Sequence, residues 1–203
     1  MYLESPYVHF PSFLSSQVCD EIINLGEKKL VTAYTNKKQD VRNSEVAWLT
    51  DKSVYDLMVP AVKEANTKTG WYWKITGGEK IQFTKYGIGQ FYNWHVDGGS
   101  DFHATYPGGY LYDYESGAVS TSMGSVRKIS MTVNLVDGSE YEGGNLEFDF
   151  GAVNGKDRIK TCDEMRPKGS LTVFPSFIPH RVTPITQGVR YSLVLWSLGP
   201  PWQ

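Results

Sequence analysis

Cysteine, histidine and unbalanced charge are all scarce in this chain of 203 residues. It has two cysteines, Cys19 and Cys162, four histidines, and 20 Lys and Arg residues against 22 Asp and Glu residues. Two distant cysteines form no metal-binding pair and are typical of a reducing compartment. A formal net charge of −2 gives little attraction for a polyanionic backbone, so we expect no nucleic-acid partner.

Long apolar segments are also missing. No uncharged apolar run reaches the ~18 residues that a membrane span needs. The first residues (MYLESP) lack the basic start and apolar stretch of a signal peptide. We therefore expect no membrane partner and a cytoplasmic location.

Aromatic residues and glycines, in contrast, are abundant. The chain has 13 Tyr, 9 Phe, 6 Trp and 20 Gly, which favours a β-rich fold with many turns. Helical spacing is confined to the first third: one helix is predicted after a cap at Ser15 or Ser16, and another from about Asp51. Pro60 predicts a kink in the second helix or two shorter helices, and Gly70 is predicted to terminate it.

From Trp71 onward the hydrophobic period changes to two, which predicts strands. Alternation is clearest in three segments, and shorter strands fit two more: Lys80–Tyr86, Lys128–Leu135 and Val189–Trp196, then Leu146–Phe150 and Leu171–Phe174. Each long segment has an apolar face and a face of small polar groups, with Arg190 and Trp196 sharing the second face of the last strand. Two interpretations stay open: an antiparallel sheet with solvent on its polar side, or a sheet whose polar face lines a pocket.

The segment from Gly98 to Ser125 shows no clear periodicity. It is rich in Gly, Ser and Tyr and contains Tyr106, Tyr110, Tyr112 and Tyr114. Long irregular loops in compact domains are usually functional or disordered. We therefore interpret 98–125 as a flexible flap near a binding site.

The few histidines include candidates for a metal site. His95 and Asp97 stand two residues apart, so in an extended strand both side chains lie on one face. His180, in a proline-bounded turn, is the leading third ligand, with His103 as an alternative. Two His and one carboxylate leave three metal positions open and favour Fe(II) and oxygen chemistry. The competing interpretation makes His95 a surface or N-cap histidine and His180 a loop histidine.

Arg190 adds a second function-related signal. It lies ten residues after His180, on the polar face of the last strand with Ser192. An arginine at the base of a pocket binds a carboxylate by two parallel hydrogen bonds. A metal with open positions beside such a socket suggests an acid cosubstrate that chelates the metal. The alternative is a cross-strand ion pair on an exposed sheet.

Several motifs together resemble the 2-oxoglutarate- and Fe(II)-dependent oxygenases, in their prolyl 4-hydroxylase-like branch with the bacterial and phage PKHD-type hydroxylases. The similar stretches, in chain order, are 86–97 (YGIGQFYNWHVD), 127–135 (RKISMTVNL), 141–146 (YEGGNL), 168–176 (KGSLTVFPS) and 180–190 (HRVTPITQGVR), followed by Trp196. Any one of these motifs is weak, whereas their order is specific. The resemblance covers roughly 80–196, and the first 75 residues match only loosely.

The resemblance implies a mainly β fold with flanking helices: a double-stranded β-helix, or jelly roll. It implies one domain over 1–203, with helical support over 12–70 and a jelly-roll core over 71–198. The implied cofactors are Fe(II), 2-oxoglutarate and O₂, with ascorbate as an optional addition. The implied site residues are His95, Asp97 and His180 for iron, and Arg190, Tyr86, Ser192 and Asn134 for 2-oxoglutarate; Asn134 falls where many relatives have a longer Tyr.

The same resemblance implies a hydroxylase of prolyl residues in a peptide or protein, which forms succinate and CO₂. Tyr92, Trp94 and Trp196 are the predicted substrate contacts, unless these rings only pack the core. A free amino acid or another small molecule is the alternative substrate. The rival functions are a non-catalytic cupin-like binding module and a zinc hydrolase, which would leave Arg190 unexplained. For a phage-encoded protein, the expected location is the infected host's cytosol.

Overall fold

Strands outnumber helices throughout the fold. The computed structural model describes residues 5–33, 41–98, 109–151 and 158–202. Within these ranges the helices are α1 (Ser16–Glu27), α2 (Lys52–Lys68) and a 3-10 turn at Asp163–Met165, and none of them could cross a lipid bilayer. The strands are β1 (Val8–Phe10), β2 (Val31–Ala33), β3 (Arg42–Leu49), β4 (Gly77–Gly78), β5 (Ile81–Tyr86), β6 (Phe91–His95), β7 (Tyr110–Asp113), β8 (Val119–Thr121), β9 (Val126–Asn134), β10 (Tyr141–Gly143), β11 (Leu146–Asp149), β12 (Ile159–Thr161), β13 (Leu171–Pro175), β14 (His180–Val182), β15 (Ile185–Gly188) and β16 (Arg190–Gly199).

Both predicted helices form, with one correction. Ser15 caps α1 by accepting a hydrogen bond from the Val18 N–H. Helix α2 is continuous through Pro60, so the prediction of two shorter helices is wrong. Pro60 is exposed, and water can satisfy the carbonyl that its ring leaves without a donor. Gly70, at φ 69°, follows the helix end, as predicted for a terminator.

The strands build a curled antiparallel sheet, and the jelly-roll prediction is confirmed. Their order is β1-β13-β9-β16-β5-β3-β6-β14-β11-β12. Strand β3 joins the two layers, because Glu45–Leu49 pairs with β5 whereas Arg42 and Asn43 pair with β6. The concave side between the two layers holds the candidate site.

The main core lies between the helices and the convex side of the larger layer. Buried residues of α2 such as Tyr55 and Met58 pack with Phe83 and Leu193 of β5 and β16. The predicted strands all form, with ends shifted by a few residues. The range 12–70 differs from its predicted helical role, because it also contains β2 and β3. Strand β3 buries the polar Arg42, which hides the apolar alternation that marks a strand.

The tyrosine-rich segment 98–125 is partly regular, contrary to the predicted flap. Residues 99–108, including Tyr106 and His103, lie outside the described residues. Farther along, β7 and β8 form a hairpin that pairs with β4. Tyr112 stacks on Tyr55 at 4.1 Å between ring centroids, and the Tyr114 hydroxyl lies 2.8 Å from Ser197 Oγ. These two rings therefore anchor the hairpin to the core and do not surround the metal-ligand cluster.

Candidate active site

Two histidines and one carboxylate meet where β6 lies beside β14. The register pairs His95 with His180, and Asp97 follows in the turn after β6. Asp97 Oδ1 lies 3.5 Å from His95 Nε2, and Oδ2 lies 3.5 Å from His180 Nε2. The three ligand atoms lie within 4.8 Å of one another. Because ligands at right angles ~2.1 Å from a metal are ~3 Å apart, this cluster can close around one divalent cation.

Backbone carbonyls orient both imidazole rings. His95 Nδ1 lies 2.7 Å from the Asn93 carbonyl oxygen, and His180 Nδ1 lies 2.9 Å from that of Ile178. A carbonyl oxygen can only accept, so each Nδ1 carries the proton. Each Nε2 therefore directs its lone pair toward the cluster, as a metal ligand requires.

A β-bulge in β6 brings two rings to the same side. Tyr92 and His95 are three residues apart, yet they pair with β14 residues that are only two apart. Their rings consequently stack, with centroids 3.5 Å apart and planes at 9°. Trp94 instead lies against the Arg181 guanidinium, 4.8 Å from the ring centroid. The bulge thus re-aims alternate side chains beside the site.

Two buried serines hold the carboxylate ligand. Ser130 Oγ donates to Asp97 Oδ2 at 2.7 Å and lies 2.9 Å from Ser176 Oγ. Because Ser130 has one proton and gives it to the carboxylate, Ser176 must donate to Ser130. The Asp97 and Gly98 N–H groups also donate to the Ser176 carbonyl, at 2.9 and 2.8 Å. Side chain and backbone of the ligand are therefore both fixed before any metal binds.

Electrostatics hold Asp97 and His180 in the protonation states that bind metal. Burial alone would raise the pKa of Asp97, but interactions with His180, His95 and Arg127 outweigh it and hold this pKa well below its usual range. Burial lowers the pKa of His180 to about 4, although Asp97 acts in the opposite direction. At neutral pH Asp97 is thus an anion and His180 a neutral imidazole.

A narrow cavity opens beside the cluster and is lined by Arg190. Arg190 is 2% exposed and pairs with Tyr86 across β16 and β5. Its guanidinium lies 5.8 Å from the Tyr86 ring centroid and forms no hydrogen bond or ion pair with another described residue. A buried cation without a counterion calls for an anionic ligand. An acid that bridges Arg190 and a metal on the cluster fits this donor set.

Most predicted site residues meet in this cavity. Its wall includes eight of them: Tyr86, Tyr92, His95, Asp97, His180, Arg190, Ser192 and Trp196. Asn134 and Trp94 are not in the wall. The Asn134 amide donates to the backbone oxygens of Val136 and Arg166, at 2.6 and 2.7 Å. Asn134 therefore stabilises a loop through its hydrogen bonds, and Trp94 packs on Arg181 outside the cavity wall.

Other wall residues were not predicted to be part of the site. They are polar in two cases and apolar in four: Gln82 and Thr132, then Leu146, Phe174, Val182 and Val194. The polar pair could have been found, because both lie on the polar faces of predicted strands. Arg127 was also missed as a site residue; it lies over the Trp196 ring at 4.0 Å and donates to the Asp97 carbonyl. For the four apolar wall residues, no local sequence pattern indicates a place in the site.

Comparison with known proteins agrees with this geometry. Residues 81–198, more than half of the chain, match the model of the 2OG-Fe(II) oxygenase superfamily. A PKHD-type hydroxylase from Klebsiella pneumoniae (strain 342) is 34% identical over 114 residues, which cover 56% of this chain and 40% of that protein. The PKHD-type hydroxylase YbiX of Shigella boydii serotype 18 is 32% identical over 117 residues, with the same two coverages. The match spans about two fifths of the length of these curated relatives.

Solved structures share the fold over nearly the whole chain. A viral collagen prolyl hydroxylase from Paramecium Bursaria Chlorella virus-1 superposes with a TM-score of 0.65 at 20% identity and covers 97% of both chains. A Trichoplax adhaerens prolyl hydroxylase, solved with a hypoxia inducible factor peptide fragment, gives 0.68 at 17% identity over 96% of this chain and 84% of that one. Motif order, ligand geometry, fold and family match thus agree, and this chain belongs to the 2OG-Fe(II) oxygenase superfamily.

Proposed function

We propose that the chain is an Fe(II)- and 2-oxoglutarate-dependent hydroxylase of prolyl residues in a peptide or protein, which releases succinate and CO₂. The observation that carries this proposal is the buried Arg190, which has no counterion among the described residues and lies in the same cavity as the His95, Asp97 and His180 cluster. A lone metal cluster would suit many reactions. An added carboxylate socket suits a reaction that consumes a chelating diacid.

Each group in the cavity has a role in this reaction. His95, Asp97 and His180 would hold Fe(II) through one face, which leaves the opposite face for cosubstrate and O₂. Arg190 would bind the distal carboxylate of 2-oxoglutarate by paired hydrogen bonds, with the Ser192 hydroxyl two residues along the same face. Bound Fe(II), with 2-oxoglutarate and O₂, supplies the oxidising power for C–H hydroxylation. The largely buried wall restricts water.

The prolyl substrate is favoured by the comparisons and by the shape of the wall. The similar proteins are named PKHD-type hydroxylases and prolyl hydroxylases. Tyr92 and Trp196 both lie beside the cluster, and rigid aromatic walls are common in peptide recognition. The ascorbate prediction, in contrast, has no residue to support it.

One titration tests the cofactor part of the proposal. Anaerobic protein should develop a weak visible charge-transfer band only when both Fe(II) and 2-oxoglutarate are present, and should form succinate once air is admitted. His180→Ala should abolish iron binding, whereas Arg190→Ala should mainly weaken 2-oxoglutarate binding. Folded protein that shows neither band nor succinate would favour the cupin-like binding module. Equal loss of iron in both variants would contradict the separate roles.

A second measurement tests the substrate. Mass spectrometry should detect the gain of one oxygen atom on a proline-containing peptide and none on its alanine counterpart. Oxidation of a free amino acid, with proline peptides unchanged, would replace the prolyl assignment by the small-molecule alternative.

A further inference from the structure

The strand register orders the concave side of the larger layer from an inner to an outer end. On β16, Arg190 lies opposite Tyr86 at the inner end, and Trp196 lies opposite Ser130 at the outer end. Ser130 is the residue that binds Asp97, so the metal-ligand cluster sits level with Trp196. The cosubstrate socket is therefore inner, and a substrate must approach the cluster from the outer end.

A second cavity lies at that outer end. It is an open depression lined by Trp48, Glu79, Lys80, Gly109, Tyr110 and Ser122, which together we call the outer groove. Trp48 is 43% exposed, and its ring centroid lies 6.2 Å from that of Trp196. Trp196 belongs to the wall of the cavity beside the metal-ligand cluster, which we call the inner cavity. The Glu79 N–H donates to the Trp196 carbonyl, which places the outer groove at the same level as the cluster.

The outer groove is aromatic, and among the described residues that line it Lys80 carries a charge with no ion-pair partner. Both carboxylate oxygens of Glu79 accept from the Arg127 guanidinium, so this acid is neutralised. The Lys80 ammonium lies 5.6 Å from the Tyr110 ring centroid and forms no ion pair with a described residue. Among its described residues, the groove therefore offers a single positive charge, beside the Tyr110 ring. An extended chain with a carboxylate side group complements it.

We propose that the outer groove binds the part of a peptide substrate that flanks the reacting residue, and that Lys80 selects an acidic side chain there. This inference rests on the proposed function for its reacting residue. From Ser130 on β9 across β16 to Lys80 is a crossing of two strand spacings, ~10 Å in all. An extended peptide advances ~3.3 Å per residue, so the acid lies roughly three residues from the proline.

Binding of labelled peptides tests the proposal without requiring turnover. The probes are fluorescent peptides with one proline and a Glu three residues before or after it, each matched by a Gln peptide. Fluorescence anisotropy should give wild-type protein a roughly two- to five-fold tighter Kd for one Glu peptide than for its Gln match, the range of a solvent-accessible ion pair. Lys80→Met should remove this preference and Lys80→Glu should reverse it. Lys63→Met, an exposed lysine of α2, should leave it unchanged.

The outcomes separate the two proposals. Three results would overturn the proposal that the outer groove selects an acidic peptide. They are equal Kd values for Glu and Gln peptides, no binding of either peptide, and a preference that survives Lys80→Glu. Selective binding without oxygen gain on the peptide would support the peptide-binding role of the outer groove and contradict the prolyl hydroxylase proposal. Trp48→Ala should weaken both peptides while 2-oxoglutarate affinity stays at its wild-type value. Loss of cosubstrate affinity in that variant would mean that Trp48 supports the inner cavity instead.

Discussion

Replacement of Ser130 by alanine should weaken metal binding although Ser130 is not a ligand. The change removes the 2.7 Å hydrogen bond to Asp97 Oδ2 and leaves the Ser176 hydroxyl without its neighbour. A hydrogen bond to a charged group contributes ~1.5–3 kcal/mol, which corresponds to at most ~150-fold in an equilibrium constant. Loss of a group that orients a ligand typically costs 10–100-fold in metal affinity. We expect Ser130→Ala to raise the Kd for Fe(II) by about 10–100-fold.

The assay is anaerobic equilibrium dialysis against Fe(II), with Ser170→Ala as the matched control. Ser170 is equally buried, but its hydroxyl has no hydrogen-bond partner among the described residues. That control should bind Fe(II) like the wild type and unfold in urea at a similar concentration. An unchanged Kd in folded Ser130→Ala would refute the reasoning. So would an equal loss in both variants, because it would point to general destabilisation.

Three further changes test other parts of the molecule. Arg190→Met should weaken 2-oxoglutarate by at least 30-fold, roughly the 2 kcal/mol or more expected for a buried charge pair, while dialysis shows Fe(II) affinity within two- to three-fold of wild type. Gly26→Ala should lower the free energy of unfolding in urea by ~1–3 kcal/mol, because a Cβ there would overlap the Phe83 ring; no loss would mean that the helix shifts freely. Burial lowers the pKa of Lys128 to about 8, below its ordinary ~10.4. The charged form is thus penalised only in the folded state, so Lys128→Met should be the more stable protein at pH 7, and its advantage should shrink between pH 8 and 10; a pH-independent difference would contradict this.

The ligand set could be predicted because its signals are local. The two-residue spacing of His95 and Asp97 needs only an extended backbone to bring both to one face. Arg190 stands out because a lone cation on a face of small polar groups has few structural uses. The strand periods were equally readable, since each predicted strand has one mainly apolar face.

Other features depend on pairing between distant strands, which no local pattern records. Trp94 was predicted to contact substrate only as an aromatic residue next to His95; alternation turns it to the opposite face, and the bulge in β6 brings Tyr92 to the ligand side instead. Asn134 does end a strand on the polar face, but two carbonyls beyond the strand take its amide protons. Strand β3 was missed because its buried Arg42 interrupts the apolar face, and one of the two side chains that accept its hydrogen bonds, Gln82, lies forty residues away. Register and bulges arise only when distant strands pair in the sheet. The positions of these side chains therefore require the three-dimensional structure.

The carbonyls that orient the two histidines also determine which mutations the site can tolerate. His95 and His180 each depend on a main-chain oxygen two residues earlier, and every amino acid supplies that oxygen. Substitution of Asn93 or Ile178 therefore leaves the orienting hydrogen bond in place. Only a change of backbone path, such as a deletion or an inserted residue between these positions and their histidines, removes it. Across natural variants, the metal centre should accordingly tolerate diverse side chains at the exposed position 93, apolar side chains at 178, which lies in a hydrophobic cluster, and almost no change of length.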